Sequence, residues 1–177
     1  MNLANKLTLL RVFLVPLFVF FMLTDFFTAS SQVAFLIFCI ATATDKLDGT
    51  IAKKYNTVTN FGKFADPIAD KLLVCSALIC LNASGEIPVW ATIIIIAREF
   101  AVSGIRLVAS DNGVTIAASR LGKSKTIAQM AMIIVILAKT GLPSFVYSVL
   151  ISASVILTVI SAVDYIIKNK KAISFDK

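Results

Sequence analysis

The sequence predicts an all-α integral membrane protein of six transmembrane helices, and three observations carry that reading. Hydrophobic residues make up 58% of the 177 and mean hydropathy is +0.90, more apolar surface than a water-soluble fold of this size can hide. The apolar residues fall into six runs, close to the length of about 20 residues that a spanning helix needs. Basic residues gather at one set of run ends and leave the other set almost bare.

The first run, residues 8–24, follows a short basic stretch with Lys6 and continues through Arg11. It reads as a retained span rather than a signal peptide: "LTDFFTASSQ" stays bulky as far as Phe27, and the next run begins at once. Runs at 32–52 and 65–82 come next and carry four aspartates near the ends that face each other. The run at 87–109 has Arg98 and Glu99 in its interior, which read as a paired ion fixing helix register. Runs at 126–141 and 145–167 complete the set, and the short connections predict one membrane domain over residues 1–177. Phe13, Phe18, Phe20 and Phe21 suit lipid contact or packing, and Trp90 and Tyr147 suit the membrane interface.

Charge orients the chain. The linkers "DFFTASS" and "NASGEIP" contain no Lys or Arg, and Lys139 alone stands on their side of the membrane. By the positive-inside rule both termini and the aspartate segment are expected in the cytoplasm. A formal net charge of +7 confined to one face suits anionic lipids and phosphorylated substrates. Nucleic-acid binding is a poor fit, because the basic residues hug membrane ends and lack a soluble aromatic platform. Cys39, Cys75 and Cys80 lie in apolar runs, an odd number without the spacing of a disulfide framework or zinc site. The "NAS" at Asn82 is a glycosylation match of little weight. With no histidine in the chain, catalysis must rest on carboxylates, Lys, Arg, hydroxyls and metal.

The segment "TDKLDGTIAKKYNTVTNFGKFADPIADK" holds Asp45 and Asp48 at i, i+3 and Asp66 and Asp70 at i, i+4, so each pair lies one helical turn apart. "YNTVTNFG" between them suits a short connection, which would bring the pairs together on antiparallel helices. An aspartate at the centre of a span costs roughly 2.5–3.5 kcal/mol. Any one of these could cap a helix or pair with Lys46, Lys63 or Lys71, but four together point to a shared ligand. Four converging carboxylates repel one another unless cations neutralise them, and oxygen-only ligands suit Mg²⁺ or Mn²⁺. Two such ions would clamp phosphoryl oxygens during an in-line displacement. Gly49 and Ala52 are too small to block a bulky ligand, Lys53 offers an ammonium to a phosphate, and Gly62 permits close backbone approach.

These residues match the signature D-x2-D-G-x2-A-R-x8-G-x3-D-x3-D of the CDP-alcohol phosphatidyltransferases, which the chain resembles through Asp45, Asp48, Gly49, Ala52, Gly62, Asp66 and Asp70. The single departure is Lys53, which keeps the charge of the usual Arg but not its bidentate fork. "NLANKLTLLRVFLVPLF", "AREFAVSGIRLVAS" and "AASRLGKSKTIAQM" resemble stretches of bacterial family members that act on glycerol 3-phosphate, so the likeness covers nearly the whole chain. The resemblance implies transfer of a phosphatidyl group from CDP-diacylglycerol to glycerol 3-phosphate, with release of CMP, in a homodimer of the cell membrane. It also implies metal on Asp45, Asp48 and Asp66, with Asp70 as general base and further metal contact. Gly49, Ala52, Lys53 and Gly62 would shape the CDP site, with Asn5 and Thr8 as added nucleotide contacts.

The acceptor carries a phosphate of its own. Arg106, Arg120, Lys123 and Lys125 could supply its cationic pocket, although each also reads as an ordinary positive-inside residue. Two alternatives stand beside this reading. One is transfer to another alcohol, such as phosphatidylglycerol in cardiolipin synthesis. The other is a divalent-metal transporter, against which stands the clustering of charge near one face.

Overall fold

A computed structural model describes the backbone of residues 3–24, 29–54, 60–111 and 119–169, and the side chains of 7–24, 29–44, 68–110, 119 and 121–169. Among the described residues the chain forms six α-helices and no strand. They are α1 (Leu3–Leu23), α2 (Ser30–Lys54), α3 (Asn60–Ala83), α4 (Val89–Asp111), α5 (Arg120–Leu137) and α6 (Ser144–Lys168). Each overlaps one of the six apolar runs; α5 ends at Leu137, four residues short of the end of its run, and α4 starts at Val89, two residues after the start of its run. Several extend beyond their runs into polar sequence, because the helix does not stop where apolar residues do. Thus α3 begins at Asn60 and takes in Phe61 and Gly62, which the sequence assigned to a connection. Likewise α5 begins at Arg120, where the Ser119 hydroxyl accepts from the Gly122 N–H at 3.0 Å.

The chain divides into two compact units, residues Met1–Glu86 and Ile87–Lys177. In the first, α1 packs on both α2 and α3, and α2 meets α3 over a shorter stretch. Its core alternates large and small side chains: Phe18 and Phe38 are fully buried with ring centres 5.8 Å apart, beside Ala34, Ala41, Leu73 and Ala77. Thr8 and Arg11, one turn apart on α1, are also buried. The unit closes in a turn where Gly85 (φ +78°) takes the left-handed conformation that favours glycine, and Glu86 N–H donates to the Leu81 carbonyl at 2.9 Å.

In the second unit, α4 and α5 each pack on α6. The buried stripe of α6 is Ile151, Ser154, Val155, Thr158, Ser161 and Tyr165, whose small members let neighbouring backbones approach closely. Among the described residues, α6 is the one helix long and apolar enough to cross a membrane, with mean hydropathy 2.2; the apolar segments Leu7–Leu23 and Ser30–Thr44 are shorter. Helices α2, α3 and α4 carry charged residues within their length. Large apolar side chains cover much of the outer surface, Phe13 (73% exposed), Leu107 and Ile127 among them.

Candidate active site

Two helices of the first unit carry the four aspartates. Helix α2 is continuous through Asp45, Asp48, Gly49, Ala52 and Lys53, and α3 through Gly62, Asp66 and Asp70. Five residues separate the two helices along the chain. Asp48 and Asp45 stand six and nine residues before the end of α2; Asp66 and Asp70 stand six and ten after the start of α3. At 1.5 Å rise per residue both pairs lie roughly 9–15 Å from the connection. Both pairs therefore stand inside their helices rather than at the terminal turns where capping residues sit.

Asp70 is half-buried, directly after the fully buried Ala69. The side chains of Asp45, Asp48, Asp66, Gly49, Ala52, Lys53, Gly62 and Asn5 lie outside those described. Among the described residues no three carboxylate or thiol side chains gather as a metal centre. The donor set itself suits a hard divalent cation, since four carboxylates supply only oxygen. Thr8 is buried on α1 one turn from Arg11. Sequence reading had counted Arg11 only toward topology, and its burial places a guanidinium inside the first unit. Its position at i+3 from Thr8 was the available signal.

The second unit holds the basic residues. Arg106 is exposed, with its guanidinium carbon 5.5 Å from the centre of the Tyr165 ring, a cation–π distance. Lys123 is exposed on the first turns of α5, and the side chain of Arg120 is outside those described. Lys125 is buried, and its ammonium donates to Oε1 of Glu99. The same oxygen accepts from Nη1 of Arg98 at 3.1 Å, and Nη2 of Arg98 donates to the Ser161 hydroxyl, also at 3.1 Å. Arg98 and Glu99 therefore pair as their adjacency suggested, but within a network that reaches α5 and α6. Gly122 lies beside it; a Cβ there would stand 3.3 Å from Ser119 Oγ and 3.9 Å from Arg98 Nη2.

Comparison with known proteins assigns the chain. A CDP-alcohol phosphatidyltransferase family model matches residues 1–160. The chain belongs to the CDP-alcohol phosphatidyltransferase family. It is 43% identical to the CDP-diacylglycerol–glycerol-3-phosphate 3-phosphatidyltransferase of Bacillus subtilis, over 97% of each chain. It is 43% identical to a probable phosphatidylglycerophosphate synthase of Mycobacterium tuberculosis, over 93% of this chain and 80% of the relative. A Rickettsia felis protein with the same name as the Bacillus relative is 37% identical over 96% of each chain. As a CDP-alcohol phosphatidyltransferase the chain is matched across both compact units, since the family model runs without a break through the boundary at Glu86.

Proposed function

We propose that this chain transfers the phosphatidyl group of CDP-diacylglycerol to glycerol 3-phosphate, giving phosphatidylglycerophosphate and CMP. The observation that carries this is end-to-end similarity, at 43% identity, to a relative named for that reaction. The family's acidic signature on continuous helices supports it. The unbroken family match over 1–160 supports reading the chain as one functional domain.

The setting is a membrane crossed by all six helices, with both termini and the aspartates on the cytoplasmic side and a homodimer as the working form. The exposed apolar side chains of α1, α4, α5 and α6 support it, for lipid is the solvent that accepts such surfaces without cost. The one-sided distribution of Lys and Arg supports the orientation, and anionic lipids would gather at the basic face.

In this reading Asp45, Asp48, Asp66 and Asp70 hold Mg²⁺ or Mn²⁺, two ions for four carboxylates. Bound there, the cations neutralise charge on the pyrophosphate and lower the pKa of a nearby hydroxyl. Asp70 takes the proton of the attacking hydroxyl of glycerol 3-phosphate as its oxygen bonds to the phosphorus that carries diacylglycerol. The bond from that phosphorus to the oxygen of CMP breaks, and CMP leaves with the electron pair. A carboxylate is a weak base, but it need only accept a proton already made labile. Gly49, Ala52 and Gly62 leave room for the nucleotide. Lys53, Asn5 and Thr8 contact it, and Arg106, Arg120, Lys123 and Lys125 supply the cationic environment of the acceptor phosphate.

The test is CMP release by the purified full chain in detergent, with CDP-diacylglycerol, Mg²⁺ or Mn²⁺ and a panel of alcohols. Release that requires glycerol 3-phosphate and stops on chelation is the expected result. Release with a different alcohol would overturn the acceptor. No release with any alcohol, with Mn²⁺ uptake by proteoliposomes, would replace the enzyme with a transporter.

A further inference from the structure

Three cations of the second unit are held by partners on other helices. Lys125 on α5 is bound to Glu99 on α4, Arg98 on α4 to Ser161 on α6, and Arg106 on α4 lies over Tyr165 on α6. Helices α4 and α5 each pack on α6, whereas Glu99 and Lys125 join α4 to α5 through long side chains. The first turns of α5, which carry Arg120 and Lys123, are thus fixed at two points. The Ser119 cap holds their start, and the Lys125–Glu99 bond holds them 26 residues away along the chain.

Stability alone is a poor reason for such a join. A buried ion pair seldom outperforms apolar side chains of similar volume, because both charges must leave water. The remaining contacts of α6 in this unit are made by small and aliphatic residues. What an ion pair supplies and apolar packing does not is a fixed position for a particular charge. Oε1 of Glu99 fixes two, the Lys125 ammonium and the Arg98 guanidinium.

We propose that Glu99 is a positioning residue for the acceptor: by holding Lys125 and Arg98 on one carboxylate oxygen, it sets where α4 and α5 present cations to the phosphate of glycerol 3-phosphate. The proposal rests on the acceptor reading above. Glu99 acts through Lys125 and Arg98 and takes no part in the chemical step.

The test compares wild type, Glu99→Gln and Glu99→Asp in full-length protein, measuring KM for each substrate, kcat and thermal unfolding. Loss of a charge-assisted bond predicts a rise in the KM for glycerol 3-phosphate of about tenfold or more in Glu99→Gln. The KM for CDP-diacylglycerol stays unchanged while the unfolding temperature falls, since the buried Lys125 and Arg98 lose their shared carboxylate, and Glu99→Asp recovers part of both losses. An unchanged KM for glycerol 3-phosphate overturns the proposal. So does a parallel shift of both KM values with the unfolding temperature, which marks a purely structural join. If Glu99→Gln yields no folded protein, Lys125→Arg keeps the charge pair but moves the nitrogen. A KM for glycerol 3-phosphate unchanged in that variant overturns the proposal equally. Wild-type release that ignores glycerol 3-phosphate would instead overturn the acceptor reading on which it rests.

Discussion

The two compact units tie their polar residues together in different ways. In the first, the buried polar side chains among those described are Thr8 and Arg11, one turn apart on α1, Ser30 at the start of α2, and Thr44 in the middle of α2, directly before Asp45. Between them the core is aromatic and aliphatic. In the second, Thr92, Arg98, Glu99, Lys125, Gln129, Ser154, Thr158 and Ser161 are buried or half-buried across α4, α5 and α6, and side-chain bonds join the three helices. The side chains of Thr158 and Ser161 are partly satisfied within α6, by the carbonyls of Ser154 and Thr158 at 2.6 and 3.0 Å. The contrast separates two uses of charge. The first unit keeps its carboxylates on a local helical spacing, as a ligand set requires. The second ties its charges to one another over long sequence distances, as a fixed scaffold requires.

The comparison breaks first at Asp70. Asp70→Asn removes the proposed base while leaving a side chain of the same shape. CMP release should fall by about 10²–10⁴-fold, the range general-base catalysis supplies. Rates near wild type would return Asp70 to a metal-holding or capping role and move the base elsewhere. The next effect tests packing. Phe38 is fully buried against Phe18, so Phe38→Ala should cost about 3–5 kcal/mol, read as a drop in the thermal unfolding midpoint in detergent. Arg98→Met in the second unit should cost less, about 1–3 kcal/mol, because Glu99 keeps its bond to Lys125. If Arg98→Met proves the more damaging, the ion network and not apolar packing is the main support of the second unit.

The same contrast explains what could be read from the chain. Asp45, Asp48, Asp66 and Asp70 are spaced by three and four residues within single helices, and helical periodicity alone turns that spacing into a shared face. The six runs were legible for a similar reason, since apolar length is local. Helix starts were less so: Asn60–Gly62 has turn-forming residues, yet it belongs to α3. The Glu99 network was hidden because its members stand 26 and 63 residues apart, a separation with no period to detect. Only Arg98 beside Glu99 was visible, and the sequence had no means of adding Lys125 or Ser161. The burial of Arg11 was hidden for the opposite reason: its place near the start of an apolar run fits the positive-inside pattern, which says nothing of what the side chain packs against.

The smallest effect expected is at Lys53, and it sharpens the account of the first unit. An ammonium meets a phosphate as a compact point charge that turns freely, whereas a guanidinium offers a planar fork with less left to order on binding. At a position where the family pattern has Arg, Lys53→Arg should therefore lower the KM for CDP-diacylglycerol by a few-fold, about what one ordinary hydrogen bond adds net of the water it displaces. The KM for glycerol 3-phosphate should not move, because that substrate is assigned to cations of the second unit. A fall in both would mean that Lys53 meets the acceptor as well as the nucleotide. No change in either would leave the pyrophosphate to the aspartate-bound cations, with Lys53 serving only the charge asymmetry that orients the chain.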